Sequence, residues 1–250
     1  MLVAGFPTGS FQANCFVLAP EAGGPCVVVD PGEGAEQPLG ELLRRHRLDP
    51  VAVLLTHGHF DHVFAVAPVC DGNDIPAWIH PEDRALLSDP LRALSTEARA
   101  FFGGRVVLRE PREVRVLADG TVLELAGLTL SVDHTPGHTR GSVTFRSVAG
   151  TVPSGDGPGA VPSERRSLLL SGDTLFAGSI GRTDLPGGDH EQMLVSLQNK
   201  ILVLDDATAV LPGHGPNTTI GQERASNPFL HGLIAPSGTP NEPPRTRHGL

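Results

Sequence analysis

The feature that most constrains this chain is segment 56–62, Thr-His-Gly-His-Phe-Asp-His, which directly follows the apolar run 51–55. A short apolar run that ends at a polar segment containing glycine is typical of a buried strand leading into a loop. Residues two apart in an extended chain point to the same side, so the imidazoles of His57 and His59 can reach one ion. The segment therefore predicts a metal site at the end of a buried strand.

Further metal-ligand types follow at similar places in the chain. Asp61 and His62 come where the chain turns into a predicted helix, so they project differently and suit a second ion. Three more candidates sit beside glycine near predicted strands: His138, Asp173 and His214. Zinc and iron(II) bind neutral imidazole and carboxylate, and one aspartate can bridge two ions about 3.5–4 Å apart. Together these side chains predict a binuclear metal site.

Composition narrows the class of protein. The 250 residues are 39% hydrophobic and 19% charged, which is typical of a folded, soluble chain. The formal net charge of −9 makes nucleic acid a poor partner, and no apolar stretch is long enough to cross a membrane. The N-terminus lacks the pattern of a secretory signal. Three sparse cysteines, Cys15, Cys26 and Cys70, fit a reducing compartment, so we expect a cytoplasmic protein.

Strand and helix patterns alternate along most of the chain. Helices are predicted over 36–47, from Asp61 through Val69, and near 190–203, with short strands between them. This order indicates one α/β or α+β domain over residues 1–232, with two mixed layers covered by helices. Residues 147–167 are rich in Gly, Pro and Ser, which predicts a mobile loop, and 233–250 are predicted to be a disordered tail.

Segment 56–62 resembles the signature of the metallo-β-lactamase superfamily. The later Pro-Gly-His, Gly-Asp and Pro-Gly-His segments recur in the usual order of that family, so the match spans about residues 2–232. The resemblance implies a four-layer αββα sandwich with the site at one edge of its two sheets. It also implies that His57, His59 and His138 hold one metal and that Asp61, His62 and His214 hold the other. Asp173 would bridge them.

Within that superfamily the chain looks like the single-domain glyoxalase II-like (hydroxyacylglutathione hydrolase-like) enzymes. The resemblance lies in segments 171–176, 181–184, 211–216 and 227–229. It implies hydrolysis of a small thioester such as S-lactoylglutathione, with two divalent ions as cofactors, zinc first and iron or manganese as alternatives. Asp61 and Asp173 would be the catalytic carboxylates, and we expect a monomer or a small homo-oligomer.

The chain departs from the longer glyoxalase II enzymes in two respects. We expect it to lack their C-terminal helical domain, and it has Arg182-Thr183-Asp184 where they have a lysine and aromatic side chains that contact the thiol. Arg182 either binds a substrate carboxylate or forms a structural ion pair with Asp184. The physiological thiol therefore stays open.

Other activities of the same fold are the alternatives. Persulfide dioxygenases also share Gly181–Asp184, and use one iron that would here be held by His57, His138 and Asp173. Segment 186–188 looks more like the corresponding segment of the hydrolases than that of the dioxygenases. A lactonase or other ester hydrolase is a further alternative, whereas β-lactamase activity is disfavoured because many such enzymes lack the bridging aspartate.

Overall fold

Two six-stranded sheets form the centre of the fold in the computed structural model, which describes residues 1–96, 99–100, 108–151 and 165–233. The strands of the first sheet, in chain and spatial order, are β1 (Leu2–Thr8), β2 (Ala13–Ala19), β3 (Pro25–Val29), β4 (Asp49–Leu54), β5 (Ala77–Ile79) and β6 (Val114–Val116). Strands β1 to β3 are antiparallel, whereas β3 to β6 run parallel. The carboxyl ends of parallel strands share one edge, so the residues after β3 and β4 meet there.

The second sheet comes from the later part of the chain. Its strands are β7 (Val122–Leu125), β8 (Leu128–His134), β9 (Val143–Thr151), β10 (Arg165–Gly172), β13 (Ala209–Pro212) and β14 (Thr218–Thr219), and a hairpin of β11 (Leu175–Phe176) and β12 (Ser179–Ile180) stands apart. The spatial order is β14-β13-β10-β9-β8-β7. Only the β10–β13 pair is parallel, so the residues that follow these two strands also lie side by side.

Helices cover the outer faces of both sheets. They are α1 (Glu36–His46), α2 (Phe60–Val63), α3 (Val66–Asn73), α4 (His190–Ser196) and α5 (Ile220–Ser226). A π-helical stretch, Leu197–Ile201, extends α4, and short 3-10 helices lie at Arg84–Leu87, Pro90–Ala93 and Pro228–Leu230. In the part of the chain that the structure describes, no helix combines the length and apolarity needed to cross a bilayer.

Alternating side chains divide the buried residues into distinct layers. In β10, Leu168 and Leu170 face the core between the two sheets, whereas Leu169 packs outward with residues of α4 and α5. The same alternation separates the valines of Val27–Val29, the middle one of which packs outward with residues of α1 and α3. This period of two is inherent to strands. The layers are therefore helix, sheet, sheet and helix, which confirms the four-layer αββα sandwich.

The predicted helix from Asp61 through Val69 is in fact two helices. Helix α2 ends at Val63 and α3 begins at Val66. The backbone N–H of Ala65 donates to the carbonyl of Pro31 at 3.0 Å, so it is unavailable for a continuous helix. The break separates the short helix that carries Asp61 and His62 from the helix that follows it.

The ends of the predicted loop 147–167 are strands. β9 continues to Thr151 and β10 begins at Arg165, and these two residues are paired. Backbone hydrogen bonds between paired strands form with almost any side chains. The composition of this segment therefore did not reveal that its ends are strands. Residues 152–164 lie outside the described part of the chain. Of the predicted tail, Leu233 donates its N–H to the carbonyl of Leu230, and 234–250 lie outside the described residues.

Candidate metal centre

All of the predicted ligand side chains meet at one edge of the two sheets. What we call the first group consists of His57, His59 and His138, whose potential ligand atoms lie within 4.8 Å of one another. The second group meets the same criterion: Asp61, His62 and His214. The first group combines the end of β4 with the loop before β9, and the second joins α2 to the loop after β13. Each group therefore draws on both sheets.

Asp173, which follows β10, lies between the two groups. Its Oδ2 atom is 3.4 Å from Nε2 of His138 and 3.6 Å from Nε2 of His214, and its Oδ1 atom is 3.4 Å from Nε2 of His62. A Cβ atom on Gly213 would collide with the carboxylate of Asp173, which explains a glycine there. One carboxylate thus contacts both groups, the arrangement expected of a bridging ligand.

The second group is tightly packed. Oδ2 of Asp61 lies 3.3 Å from Nε2 of His214 and 3.8 Å from Nε2 of His62, and the two Nε2 atoms are 3.2 Å apart. The three side chains converge on a small volume next to the carboxylate of Asp173. Imidazole and carboxylate atoms at these separations match the donor set of a divalent ion.

Several buried atoms at the centre lack hydrogen-bond partners among the described residues. They are Nε2 of His57, Nε2 of His59, Nε2 of His138 and Oδ1 of Asp173. A buried polar atom without a partner costs about 1–3 kcal/mol, so a cluster of them is unfavourable unless something binds there. Divalent metal ions satisfy such atoms, and the residues therefore fit the predicted cofactor.

The charges at the site agree with metal binding. Burial, together with the neighbouring imidazoles, lowers the pKa of His57 and His59 well below its ordinary value, so both rings are neutral. Burial also opposes a charge on His62, but the carboxylates of Asp173 and Asp61 outweigh it and raise the pKa of His62 to about 10. His57 and His59 thus offer neutral ligands, whereas the surroundings of His62 favour a positive charge, as an ion would supply.

Most of the imidazoles are held by hydrogen bonds at their other ring nitrogen. The Nδ1 contacts are His57 to Oγ1 of Thr56 at 3.0 Å, His62 to Oδ2 of Asp30 at 3.1 Å, His138 to the carbonyl of Arg182 at 2.8 Å and His214 to the carbonyl of Phe11 at 3.1 Å. A carbonyl partner requires a proton on Nδ1, which leaves the lone pair of Nε2 for the metal.

Sequence reasoning missed two buried carboxylates around the site. Asp30 accepts from the backbone N–H and the hydroxyl of Thr56 at 2.8 and 2.5 Å and contacts His62. A signal existed, because Asp30 directly follows a buried strand just as Asp173 does. Asp83 accepts hydrogen bonds from both loops of the first group, and no sequence pattern marks it.

Arg182 lies beside the first group but is already paired. Its Nε and Nη2 atoms donate to the two carboxylate oxygens of Asp184 at 2.8 and 2.7 Å. These hydrogen bonds from Arg182 lower the pKa of Asp184 to about 2. The two side chains are 60% and 68% exposed. The structure therefore contains the ion pair between Arg182 and Asp184 that was one of the two predicted alternatives. Substrate binding by Arg182 stays a prediction.

The model of the metallo-beta-lactamase superfamily matches residues 8–156 and 144–214 of this chain. An uncharacterised protein of Mycobacterium tuberculosis is 47% identical over 234 residues, which cover 93% of this chain and 99% of that protein. The probable metallo-hydrolase YqgX of Bacillus subtilis is 36% identical, with coverages of 91% and 96%. Hydroxyacylglutathione hydrolase GloC of Haemophilus influenzae is 33% identical, with coverages of 90% and 96%.

Solved structures share the fold. BLEG-1, described as a B3 metallo-β-lactamase, superposes with a TM-score of 0.75 at 41% identity and covers 92% of this chain and 99% of its own. TTHA1623, solved in a di-iron-bound form, has a TM-score of 0.68 at 38% identity, with coverages of 91% and 100%. The chain therefore belongs to the metallo-β-lactamase superfamily and is a metallo-hydrolase of that family.

Proposed function

We propose that this chain hydrolyses a small thioester, such as S-lactoylglutathione or an adduct of a related thiol, at a binuclear metal site. The observation that carries the proposal is the carboxylate of Asp173, which contacts His138 of the first group and His62 of the second. A site built for a single ion needs only one of the two groups. The similarity to hydroxyacylglutathione hydrolase GloC over 90% of the chain supports the thioester as substrate.

The residues of the site have different proposed roles. The first and second groups would each hold one ion, with Asp173 between them, and zinc, iron or manganese suits these donors. Two divalent ions supply an activated water at neutral pH and stabilise negative charge on a carbonyl oxygen. Burial opposes the charge of Asp61, but His62 and His214 hold its pKa below the usual range, so its carboxylate can orient a water for attack.

The leaving group explains why a thioester suits this site. A thiol has a pKa of about 8.5, so it departs as a thiolate without strong help from a general acid. His57 and His59 are held neutral and Asp61 is held ionised by shifts of their pKa values, so these three side chains accept protons rather than donate them. This chemistry favours thioesters over amides, whose nitrogen must be protonated to leave.

Aromatic side chains lie next to the second group and would contact the substrate. Phe11 is 50% exposed and meets the ring of Phe60 edge to face at 5.0 Å. The ring of Phe176 lies 6.1 Å from that of His214. These rings offer apolar surface to the acyl or thiol portion of a substrate, whereas Arg182 offers a polar contact beside the first group.

A β-lactam is the second candidate substrate, because BLEG-1 is described as a B3 metallo-β-lactamase and is 41% identical to this chain. The same activated water would attack the β-lactam carbonyl. The nitrogen of the opened ring then has to gain a proton, whereas the thiolate released from a thioester leaves without one. We therefore place the thioester first.

Metal content per chain, measured together with substrate turnover on the same sample, tests the proposal. We expect two ions per chain and hydrolysis of S-lactoylglutathione far above hydrolysis of the β-lactam nitrocefin. Turnover of nitrocefin alone would assign the β-lactam instead. A single iron with oxygen uptake on a persulfide, and no thioester hydrolysis, would overturn the proposal in favour of a dioxygenase that uses His57, His138 and Asp173.

A further inference from the structure

Asp83 is a buried carboxylate that belongs to neither group of ligands. It lies just before the short helix Arg84–Leu87 and is 2% exposed. Its Oδ2 atom accepts from the N–H of Gly58 at 2.9 Å and from the hydroxyl of Thr139 at 2.6 Å, and its Oδ1 atom accepts from the N–H of Gly141 at 2.8 Å. Hydrogen bonds to a buried carboxylate are stronger than neutral ones, so these contacts constrain their donors.

The donors belong to the two loops that supply the first group. Gly58 lies between His57 and His59, and Thr139 directly follows His138. Both glycines allow the close approach, because a Cβ atom would lie 2.9 Å from the carbonyl oxygen of Asp83 at Gly58 and 2.6 Å from its Cγ at Gly141. Asp83 therefore joins the two ligand loops at the point where they face each other.

Other contacts between residues that the structure describes do not replace this connection. The N–H of Val143 donates to the carbonyl of Thr56 at 2.8 Å, but this bond joins the strand ends and not the loops beyond them. Among the described residues, His59 is the one imidazole of the five with no hydrogen bond to its ring. Its position depends on the backbone on which it sits, and Asp83 holds the adjacent Gly58.

We propose that Asp83 is a positioning residue for the first group, which it assembles by holding the loop of His59 against the loop of His138. The inference rests on the binuclear site of the proposed function, but it concerns ion affinity and not the substrate. Asp30 plays the corresponding part for the second group, because it contacts His62 directly. Loss of Asp83 should therefore weaken one ion site and spare the other.

Asp83→Asn in the full-length chain tests the proposal. The amide has nearly the same size but carries N–H donors toward groups that also donate. Metal-free protein is titrated with Co²⁺, followed by its visible absorption and by NMR signals of the imidazole nitrogens. We expect roughly 10–100-fold weaker Co²⁺ binding at one site, as is typical when a partner of metal ligands is lost. Compared with the wild type at the same Co²⁺ concentration, the NMR signals of the first group should differ in the variant, whereas those of His62 and His214 should be unchanged.

Glu223→Gln is the matched control for a general loss of stability. Glu223 is also 2% exposed and accepts from the N–H of Gly178, the hydroxyl of Thr218 and the amide of Asn227 at 2.7, 2.6 and 2.9 Å. It contacts neither group. We expect a lower melting temperature with unchanged Co²⁺ affinity. Equal weakening of Co²⁺ binding in the two variants, or wild-type binding by Asp83→Asn, would overturn the proposal.

Variants at Thr139 keep the test decisive if Asp83→Asn does not fold. Thr139→Val removes the hydroxyl that donates to Asp83, and Thr139→Ser retains it. We expect the valine variant to bind Co²⁺ more weakly at the first group and the serine variant to bind as the wild type does. Unchanged binding in the valine variant would contradict the proposal. Because no substrate is involved, these results stand even if the chain fails to hydrolyse thioesters.

Discussion

The Nδ1 atom of His62 lies 3.1 Å from Oδ2 of Asp30, a carboxylate that also accepts two hydrogen bonds from Thr56. Asp30 follows β3, and Thr56 follows the neighbouring parallel strand β4. A single carboxylate thus orients an imidazole of the second group and holds the start of the segment that carries His57.

Asp30→Ala should affect stability and metal binding together. The substitution leaves the buried donors of Thr56 and the ring of His62 without their acceptor. We therefore expect the unfolding free energy of the metal-free chain to fall by about 1–3 kcal/mol. Ion affinity should fall by roughly 10–100-fold. Urea denaturation and Co²⁺ titration measure the two effects. A variant that equals the wild type in both would show that the hydrogen bonds of Asp30 are dispensable.

Metal removal should abolish activity and lower stability. A bound ion satisfies the unpaired Nε2 atoms of the first group and stabilises the native state by about 2.7 kcal/mol when its concentration is 100 times the dissociation constant. Dialysis against a chelator should therefore lower the melting temperature, and added Zn²⁺ or Fe²⁺ should restore both properties. Full turnover by a protein shown to be metal-free would refute a metal-dependent mechanism.

Asp173→Ala and His59→Ala should each lose metal and activity together. Asp173 contacts both groups, so its loss should lower metal affinity by more than the roughly 10–100-fold expected for a residue outside the ligand set. Elemental analysis of the purified variants, paired with thioester hydrolysis, is the measurement. His46→Ala, at the far end of α1, is the control and should match the wild type. Wild-type turnover by the Asp173 variant with metal depleted would be incompatible with the proposed mechanism.

Variants of the Arg182–Asp184 pair separate the two interpretations of Arg182. If its guanidinium binds a substrate carboxylate, Arg182→Ala should raise the KM for S-lactoylglutathione several-fold with little change in kcat. Asp184→Asn, which releases the guanidinium, should lower that KM. An uncharged thioester serves as the control substrate. If both variants had the KM of the wild type, Arg182 would form only a structural ion pair with Asp184.

The three cysteines should be unreactive in the native protein. Burial, reinforced by the nearby charges of Asp49 and Asp71, raises the pKa of Cys26 and of Cys70 to about 12, and burial also raises the pKa of Cys15. A raised thiol pKa means that less of the reactive thiolate is present near neutral pH. Ellman's reagent should therefore react only after denaturation, when three thiols per chain become available. Rapid labelling of the native chain would contradict this burial.

Much of the site could be predicted because its candidate ligands follow strands. Segment 56–62 and the glycine-flanked His138 and His214 indicate metal ligands by residue type and spacing alone, and the apolar run in β10 indicates a buried strand. The break between α2 and α3 could not be predicted, since it depends on a hydrogen bond from Ala65 to the distant Pro31. Asp83 could not be predicted either, because its donors are 25, 56 and 58 residues away.

The sequence by itself identified the side chains that we predict to be metal ligands, because imidazole and carboxylate beside glycine at strand ends are typical of metal sites. Only the tertiary structure decided how those side chains are oriented. The parallel pairs β3–β4 and β10–β13 bring Asp30 beside Thr56 and Asp173 beside the loop of His214. Hydrogen bonds between segments far apart in the chain then orient the rings. Such contacts leave no periodic pattern in the sequence, since each depends on where two separate strands come to lie.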